Sequence, residues 1–502
     1  MSQDPRIKHI VTVMMENRSF DHLLGLMKAE NAALRGISPG EYSNDTTMGV
    51  AVPVSAGATS QGLLPVDPGH EFVDVYMQMY GEPFAGVTTG TPDMSGFVQN
   101  YEQLAGRGKG DVVMRCFAPD DLPALTTLAR SYAICDAWFS SVPGPTLPNR
   151  AFAHFGTSFG RLDMSPDYFR MRPSIYQRLR QSGKRGKIYY YDETSSTLGL
   201  TFLLSDQASY FGLLGDFKKA CKKNQLPEYS FVEPNYVNHD GRLACDQHPD
   251  NDVVAGDSFL REIYDAIRSN DDVWASTLLL IVWDEHGGLF DHEVPPAVGH
   301  PDDYTSTTPK FAFDRLGVRV PAIVVSPYVE AGVVDHTVYE HASIPATVTE
   351  QFIGAPATNS PFSREKWAST FLHLLTRTAA RTDDPFAAPM LAAFSRRRTP
   401  MAALRAKPPR HRPSSSTPAS GLLRQQVKDA HFVLVRHHPA EATPFEPENV
   451  RTEADAARFL KRAHAILNPH AAARKSSRTL AAPPTRPTRR RKPGGAKQGR
   501  ER

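Results

Sequence analysis

The sequence has no hydrophobic run long enough to cross a membrane. A spanning helix needs about 20 consecutive apolar residues, and no stretch of the chain approaches that length. The N-terminus also lacks the pattern of an export signal, which is a basic segment followed by an apolar core and a cleavage site. We therefore expect a cytoplasmic protein by default, and secretion by a signal-independent route is compatible with the same sequence.

Cysteine is scarce, with four residues in a chain of 502. They are widely separated and form no C-x-x-C pair, which excludes a zinc knuckle and a dense disulfide framework. One or two disulfides remain compatible with the spacing. A chain of this length can bury a substantial hydrophobic core without disulfide bonds or a structural metal.

Charge is unevenly distributed. Residues 472–502 contain eleven Lys or Arg and one Glu, a net charge of +10, so the chain total of +3 leaves −7 for the rest. This tail is predicted to be disordered because it has little apolar content. It could bind an anionic membrane surface or nucleic acid, or it could be a solvated extension. Neither a nucleic-acid nor a protein partner is firmly indicated.

The remaining sequence predicts an α/β fold with a largely parallel central sheet flanked by helices, because apolar strand-like runs alternate with amphipathic helical segments. Residues 1–395 form the predicted catalytic domain, with a loop-rich insertion at about 30–115. Residues 396–471 read as a linker and C-terminal extension, in which 452–467 should form a helix that docks on the main domain. The predicted strands are residues 7–14, 132–139, 187–191, 229–232, 277–283 and 318–325.

Two predicted strands end in polar side chains that carry oxygen ligands. Glu16 and Asn17 follow the first strand, and Asp284 and Glu285 follow the apolar run at 277–283. In open α/β sheets the ligand crevice lies outside the carboxyl ends of the strands, and hard oxygen ligands suit a divalent cation. The alternatives are a polar turn after a core strand, or residues that cap the next helix.

Thr146 stands where the sequence predicts a helix start, in the segment PGPTLPNR at 143–150. Free backbone N–H groups and the helix dipole favour anions there. A hydroxyl in this place could attack a phosphate or sulfate. The alternative is a threonine that only caps the helix.

Several motifs in order resemble the bacterial phosphoesterase family that includes phosphatidylcholine-type phospholipases C and a group of acid phosphatases, within the alkaline-phosphatase-like superfamily. The matching segments are MENRSFDH at 15–22, PGPTLPNR at 143–150, EPNY at 233–236, DQHP at 246–249 and WDEHGGLFDH at 283–292. The resemblance covers about residues 6–355 and implies an alkaline-phosphatase-like fold. It also implies that Glu16, Asn17, Thr146, Asp284 and Glu285 converge on a divalent metal whose identity stays open.

The resemblance further implies phosphate-ester hydrolysis with Thr146 as nucleophile. The acid phosphatases have serine in this place, so threonine is similar to the phospholipase branch, and we expect a phospholipase C acting on phosphatidylcholine-type lipids. A phosphomonoesterase is the alternative. Another class of function is binding of anionic surfaces or nucleic acid through the tail.

Histidine is the usual proton donor for an alcohol leaving group. His70 and His248 are favoured without a ranking, and the further candidates are His341, His286 and His292. Asn149 and Arg150 follow the nucleophile and could contact phosphate oxygens, or they could be a helix-start scaffold. A choline head group would need an aromatic cage, for which the candidate walls are Tyr189, Tyr190, Tyr191 and Tyr236.

Overall fold

The computed structural model describes residues 3–58, 64–86, 90–164, 172–191, 195–197, 210–238, 242–299, 302–354, 364–387, 427, 431, 434 and 449–467. Within these ranges no helix is both long and apolar enough to cross a bilayer. The predicted tail at 472–502 and most of 396–471 lie outside them. The linker, the disorder and the binding role of that region therefore stay predictions.

An eight-stranded sheet forms the centre of the molecule. In chain order the strands are β1 (His9–Met15), β2 (Ala133–Cys135), β3 (Gly186–Tyr190), β4 (Phe211–Leu213), β5 (Tyr229–Val232), β6 (Thr277–Trp283), β7 (Ala322–Val325) and β8 (Val333–Asp335). Across the sheet they follow the order β8-β2-β7-β6-β1-β5-β3-β4. Neighbours are parallel except where β7 pairs with β6 and β2. The predicted α/β fold with a largely parallel sheet is confirmed.

The two central strands explain where the polar strand ends meet. β1 and β6 are buried at every residue, as expected for strands of a parallel sheet that is covered on both faces. They pair in parallel along their full length, with Met15 opposite Trp283. Because both strands run in the same direction, Glu16 and Asp284 leave the sheet side by side at one edge.

Helices cover the sheet and connect its strands. They are α1 (Phe20–Leu23), α2 (Phe72–Tyr80), α3 (Phe97–Ala105), α4 (Pro123–Ser131), α5 (Thr146–Phe155), α6 (Ile175–Gln181), α7 (Leu214–Lys222), α8 (Val253–Arg268), α9 (Asp271–Trp274), α10 (Ser343–Phe352) and α11 (Glu453–Leu467). Short 3-10 turns occupy Gly25–Ala29, Gly110–Met114, Arg364–Lys366 and Leu372–Leu374. In α8 the predicted apolar face is buried, and Asp252 caps the first turn through the Ala255 amide at 3.0 Å. In α11, Phe459 and Leu460 belong to an apolar cluster with Tyr236 and Val237.

The insertion at 30–115 is more regular than its sequence predicts. It contains α2 and α3, and short strands pair within it, Ser43–Asp45 with Ala51–Pro53 and Ser55–Ala56 with Arg115–Cys116. The predicted loop-rich insertion thus also contains two helices that its weak periodicity did not predict. Each helix has nine residues, too few to be stable alone, so packing rather than periodicity maintains them. Their apolar cluster includes Leu289 and Phe290, which places the insertion against the loop after β6.

The central strand should contribute strongly to stability. We expect Leu280→Ala to lower the free energy of unfolding by about 2–5 kcal/mol, because a fully buried leucine in β6 leaves a cavity in a close-packed core. Urea denaturation followed by circular dichroism measures the change.

Leu104→Ala is the matched control, since Leu104 on α3 is 50% exposed. It should change stability by no more than about 0.5 kcal/mol. Equal destabilisation by the two substitutions would contradict the assignment of β6 to the core.

Candidate active site

The polar residues after β1 and β6 meet in the interior. Glu16, Asn17, Asp284 and Glu285 are all fully buried. The Asn17 amide donates to Asp284 Oδ1 at 3.1 Å, and the Asp284 amide donates to the Met15 carbonyl at 3.2 Å. Asn17 adopts a φ of 50°, a left-handed conformation that is uncommon outside glycine and often found at functional sites. None of these four side chains caps α1, whose capping residue is Ser19.

Thr146 lies against the same group. It is the first residue of α5, and the extended Pro145 before it occupies the N-cap position. Its hydroxyl is directed at Asn17, with Oγ1 at 3.4 Å from Asn17 Oδ1. Thr146 is therefore not the N-cap of α5, and its oxygen is next to the predicted metal ligands.

Arg150, one turn further along α5, joins the ends of three strands. Its guanidinium donates to Asp284 Oδ2 at 2.8 Å, Glu16 Oε1 at 3.0 Å, Ser196 Oγ and Tyr236 OH at 2.9 Å, and the Met15 carbonyl at 3.5 Å. These contacts occupy all five N–H groups of the side chain. Although burial opposes the charge, the surrounding acidic groups raise the pKa of Arg150. Arg150 therefore has a structural role between carboxylates in the described structure, and its contact with a phosphate stays a prediction.

Asn149 holds the loop that leads to the nucleophile. Its Oδ1 accepts from the Val142 amide at 3.1 Å, while Nδ2 donates to the carbonyls of Val142, Gly144 and Pro145 at 3.3, 2.9 and 3.1 Å. The side chain has no donor left for a substrate. The helix-start scaffold, which the sequence left as the alternative for Asn149, is the arrangement found.

The four tyrosines proposed as walls of a choline cage do not face a common space. Tyr189 packs on Phe217, Tyr190 on Phe211 and Tyr191 on Phe259, with ring centroids 5.4, 6.3 and 6.2 Å apart. Tyr236 is buried beside Arg150 and donates to Glu233 Oε1 at 3.1 Å. These rings pack on other aromatic residues or lie beside Arg150, and the cage itself stays a prediction.

Two of the candidate histidines are fully engaged by the protein. His341 Nδ1 accepts from Trp138 Nε1 at 3.3 Å and its Nε2 donates to the Asp284 carbonyl at 2.5 Å. Burial lowers the pKa of His341 to about 4, so the ring is neutral and supports the loop that carries Asp284. His286 contacts Gln78 Oε1 through Nε2 at 2.7 Å and Glu285 through Nδ1 at 3.4 Å. Neither ring has a nitrogen left for a leaving group.

His292 belongs to a separate ion cluster. Its Nδ1 contacts Asp21 Oδ2 at 2.6 Å, and Arg319 binds Asp21 and Asp291 at 2.9 and 3.0 Å. The side-chain oxygens of both aspartates already accept from protein donors. This cluster has the spacing of a metal site, but arginine already provides the positive charge there.

His70 and His248 have a different environment. The two rings meet edge to face with centroids 5.9 Å apart. His70 Nδ1 contacts the Pro68 carbonyl at 2.9 Å, and His248 Nδ1 contacts Asp250 at 2.5 Å. Asp67 lies 3.8 Å from His248 Nε2. Of the five candidate histidines, these two keep a ring nitrogen that is not bonded to a protein group in the described structure.

A pair of glycines brings the histidine segment to the carboxylates. Gly287 and Gly288 both have a φ of 66°. A Cβ on Gly287 would lie 2.2 Å from the Asn17 carbonyl, and one on Gly288 would lie 2.6 Å from the Gly69 carbonyl. The loop after β6 can therefore approach the loop after β1 and the segment that carries His70 only because both positions lack a side chain.

The site fits a divalent cation. Glu16 Oε2, Glu285 Oε1 and the amide nitrogen of Asn17 are buried without a hydrogen-bond partner in the described structure. The oxygen and nitrogen of an asparagine side chain are assigned from their contacts. The side chain of Asn17 can therefore be turned so that its oxygen faces the cation in place of its nitrogen. Burial raises the pKa of both Glu16 and Asp284 even though Arg150 is adjacent. The single positive charge of Arg150 does not balance the negative charge of these carboxylates. A divalent cation would balance it if it were held by Glu16, Asn17, Thr146, Asp284 and Glu285.

Sequence reasoning missed three acidic residues of this region. Glu233 accepts from Ser196 at 2.6 Å and from Tyr236, so it supports the side of Arg150 remote from Thr146. Asp67 and Asp250 flank the two histidines. The signal was present in the segments DPGHE and DQHPD, where an acidic residue lies two or three positions from each histidine. Nothing in the sequence indicated that these two segments touch.

The chain is similar to several known proteins. Residues 7–353 match the sequence model of the Phosphoesterase family. Non-specific phospholipase C3 of Arabidopsis thaliana is 37% identical over 406 residues, which cover 77% of this chain and 76% of that protein. Phospholipase C B of Mycobacterium tuberculosis is 27% identical over 414 residues, covering 70% and 74% respectively. A solved structure from the alkaline phosphatase superfamily, from Vibrio parahaemolyticus, is 16% identical with a TM-score of 0.30, covering 46% of this chain and 60% of that one.

The close approach at Gly287 generates a prediction for stability. Gly287→Ala should lower the unfolding midpoint more than a positive φ alone explains, because its methyl group must displace the Asn17 carbonyl. Thermal unfolding followed by circular dichroism tests this.

Gly183→Ala is the matched control. Gly183 has a φ of 72°, but a Cβ added there would meet no atom within 4 Å, so the substitution should cost only about 1–2 kcal/mol for the left-handed backbone. Equal losses in the two variants would contradict a tight contact between the two loops.

Proposed function

The chain belongs to the Phosphoesterase family and hydrolyses phosphate esters, and we propose that it is a metal-dependent phospholipase C with a threonine nucleophile. Its substrates in this proposal are phosphatidylcholine-type phospholipids. The Arabidopsis and mycobacterial relatives, both named phospholipases C, support phospholipids as the substrate class. The position of Thr146 supports the mechanism.

The observation that carries the proposal is the contact between Thr146 and Asn17. The hydroxyl is buried at the N-terminus of α5, and it lies 3.4 Å from a side chain that leaves β1 beside Asp284. A helix N-terminus favours the negative charge of a phosphate. A nucleophile, an anion-binding helix end and a set of unpaired carboxylate oxygens thus meet at one edge of the sheet.

The metal in this proposal is held by Glu16, Asn17, Thr146, Asp284 and Glu285. When bound, a divalent cation lowers the pKa of a hydroxyl and neutralises charge on phosphoryl oxygens. The chain's own groups prepare the site. Arg150 fixes Glu16 and Asp284 in position, and Asn149 fixes the turn that precedes Thr146.

The reaction proceeds in two displacements at phosphorus. Thr146 Oγ1 forms a bond to phosphorus, the bond to the diacylglycerol oxygen breaks, the threonine hydroxyl loses its proton, and the leaving oxygen gains one. Water then displaces threonine, which regains a proton, and the phosphorylated head group departs. Asp67, His70 and His248 lie beside Glu285 and form the group that we assign to the leaving oxygen.

The relatives favour a phosphodiester over a phosphomonoester as the substrate, because the Arabidopsis and mycobacterial proteins are both named phospholipases C.

Removal of the threonine hydroxyl tests the nucleophile. Thr146→Ala should lower kcat on phosphatidylcholine by about a thousandfold or more, because loss of a nucleophile removes the covalent route. Release of phosphocholine is the measurement.

Thr146→Ser provides the matched control, since it keeps a hydroxyl in the same place and should retain measurable turnover. Circular dichroism should show that both variants are folded. Near-normal activity of the alanine variant would reject Thr146 as nucleophile.

A substrate comparison tests the diester preference. At equal enzyme and metal concentration, kcat/KM should be at least about tenfold higher for phosphatidylcholine vesicles than for phosphocholine, because phosphocholine is the product of the proposed reaction and lacks the diacylglycerol leaving group. Phosphate release reports the second reaction. Faster release from the monoester would favour the phosphomonoesterase alternative instead.

A further inference from the structure

One side chain of the insertion reaches two segments that meet at the active site. Gln78 lies on α2 and has no exposed surface. Its Nε2 donates to the Gly69 carbonyl at 2.6 Å. Its Oε1 lies 2.7 Å from His286 Nε2. Gly69 precedes His70 in the chain, and His286 follows Glu285. A single amide group therefore joins the segment that carries His70 to the loop that carries Glu285.

The partners of Gln78 determine which way its amide faces. Its nitrogen also donates to Asn100 Oδ1 at 2.8 Å. Because the Gly69 carbonyl can only accept, the nitrogen lies on that side and the oxygen lies on the side of His286. The oxygen can only accept, so His286 Nε2 is the donor of their hydrogen bond. Both N–H groups and the oxygen of the side chain are thus used in one arrangement.

The second helix of the insertion holds this amide in place. Asn100 on α3 is buried, and its Nδ2 donates to Asp74 Oδ1 at 3.0 Å, so its own oxygen faces Gln78. Phe97, also on α3, meets the His286 ring edge to face with centroids 6.0 Å apart. A buried polar network whose members are all satisfied is rigid. The two helices therefore form a fixed support for the amide.

The His286 ring transmits this constraint to Glu285. Its Nδ1 lies 3.4 Å from Glu285 Oε2, and the same oxygen accepts from the Gly287 amide at 2.6 Å. In the described structure Glu285 Oε1 has no hydrogen-bond partner, so it is the oxygen available to the cation of the proposed function. The orientation of this carboxylate therefore depends on a ring whose other nitrogen is bonded to Gln78.

Close packing places the backbone of the same loop directly on the amide. A Cβ on Gly288 would lie 3.2 Å from Gln78 Nε2 and 2.6 Å from the Gly69 carbonyl. A shorter side chain in place of Gln78 would leave a gap at this contact, and an apolar one would leave buried polar groups without partners. Both changes cost free energy.

We propose that Gln78 is a positioning residue of the active site. Through His286 it orients Glu285 toward the cation, and through Gly69 it sets the distance between His70 and that carboxylate. The inference rests on the proposed function, which supplies the cation and the reaction. Groups that orient a metal ligand without binding the metal typically change metal affinity by about 10- to 100-fold when they are removed. The insertion is then a working part of the active site and not only a cover.

Manganese binding tests the proposal without reference to turnover. The full-length protein is stripped with a chelator and titrated with Mn²⁺, which suits oxygen ligands and whose free and bound forms differ in electron paramagnetic resonance. Gln78→Met keeps the length of the side chain but removes its hydrogen bonds, and should weaken Mn²⁺ binding by about 10- to 100-fold. Gln78→Asn keeps the amide on a shorter side chain and should also weaken binding. Thermal unfolding shows whether each variant is folded.

Gln351→Met is the matched control. Gln351 on α10 is buried, its Nε2 donates to the Asp4 and Ile7 carbonyls at 2.7 and 2.8 Å, and its Oε1 accepts from the Asp4 amide at 3.0 Å. These partners precede β1, at the edge of the sheet opposite the active site. The variant loses as many hydrogen bonds as Gln78→Met does. It should therefore lose similar stability and bind Mn²⁺ as the wild type does.

A double-mutant cycle tests the route through the histidine ring. His286→Phe removes both ring nitrogens and should weaken Mn²⁺ binding by itself. Adding Gln78→Met to that variant should lower the affinity by less than about threefold more, because the contact that Gln78 supports is already lost. Effects of the two substitutions that multiply in full would contradict this route.

Turnover separates positioning from a general loss of structure. In Gln78→Met the Mn²⁺ concentration that gives half-maximal release of phosphocholine should rise by about the same factor as the dissociation constant. At saturating Mn²⁺, KM for phosphatidylcholine should change by less than about threefold, because Gln78 contacts no substrate in this proposal.

Unchanged Mn²⁺ binding in folded Gln78→Met or Gln78→Asn, or an equal loss in Gln351→Met, would overturn the proposal. Weaker Mn²⁺ binding in the Gln78 variants, together with no hydrolysis of phosphatidylcholine by the wild type, would leave the positioning role intact and reject the proposed function. The two failures are therefore distinguishable.

Discussion

A single buried guanidinium organises the active site. Arg150 reaches from α5 to Glu16 after β1 and to Asp284 after β6, with no exposed surface on any of the three side chains. Buried carboxylates so close to one another would repel strongly if they were unpaired, and removing one partner of such an arrangement is costly. The same helix begins with Thr146. The bond between Arg150 and the strand ends therefore also sets the position of the proposed nucleophile.

The charge of this centre remains negative after Arg150 has been counted. Glu16 and Glu285 keep oxygens without partners, and Asp67 and His248 keep further unbonded atoms on the adjacent side. A protein that buries this many ligand atoms without donors is arranged for cations. Gly287 and Gly288 permit the close approach of the segments that carry these groups.

Much of this arrangement was accessible from the pattern of residues. The motifs that resemble the phosphoesterase family predicted that Glu16, Asn17, Asp284 and Glu285 would meet, and the parallel pairing of β1 and β6 brings them to one edge. The position of Thr146 at a helix start was visible from the prolines around it. The roles of Arg150, Asn149 and the tyrosines were not accessible from the sequence. The same residue type can donate to a substrate or to a buried carbonyl, so the sequence does not distinguish the two roles. The two helices of the insertion were missed because their stability comes from packing against the loop after β6.

The sequence by itself determined the family, six of the eight strands and the charged residues that follow two of them, because motifs and periodicity are properties of neighbouring residues. Only the tertiary structure decided which charges are already satisfied. It assigned His341 and His286 to support, and it left His70 and His248 facing a common space. It also brought Asp67 and Asp250 to those histidines from segments about 180 residues apart. Hydrogen bonds between distant segments determine which charges are satisfied. These bonds depend on burial, which a local sequence pattern does not predict.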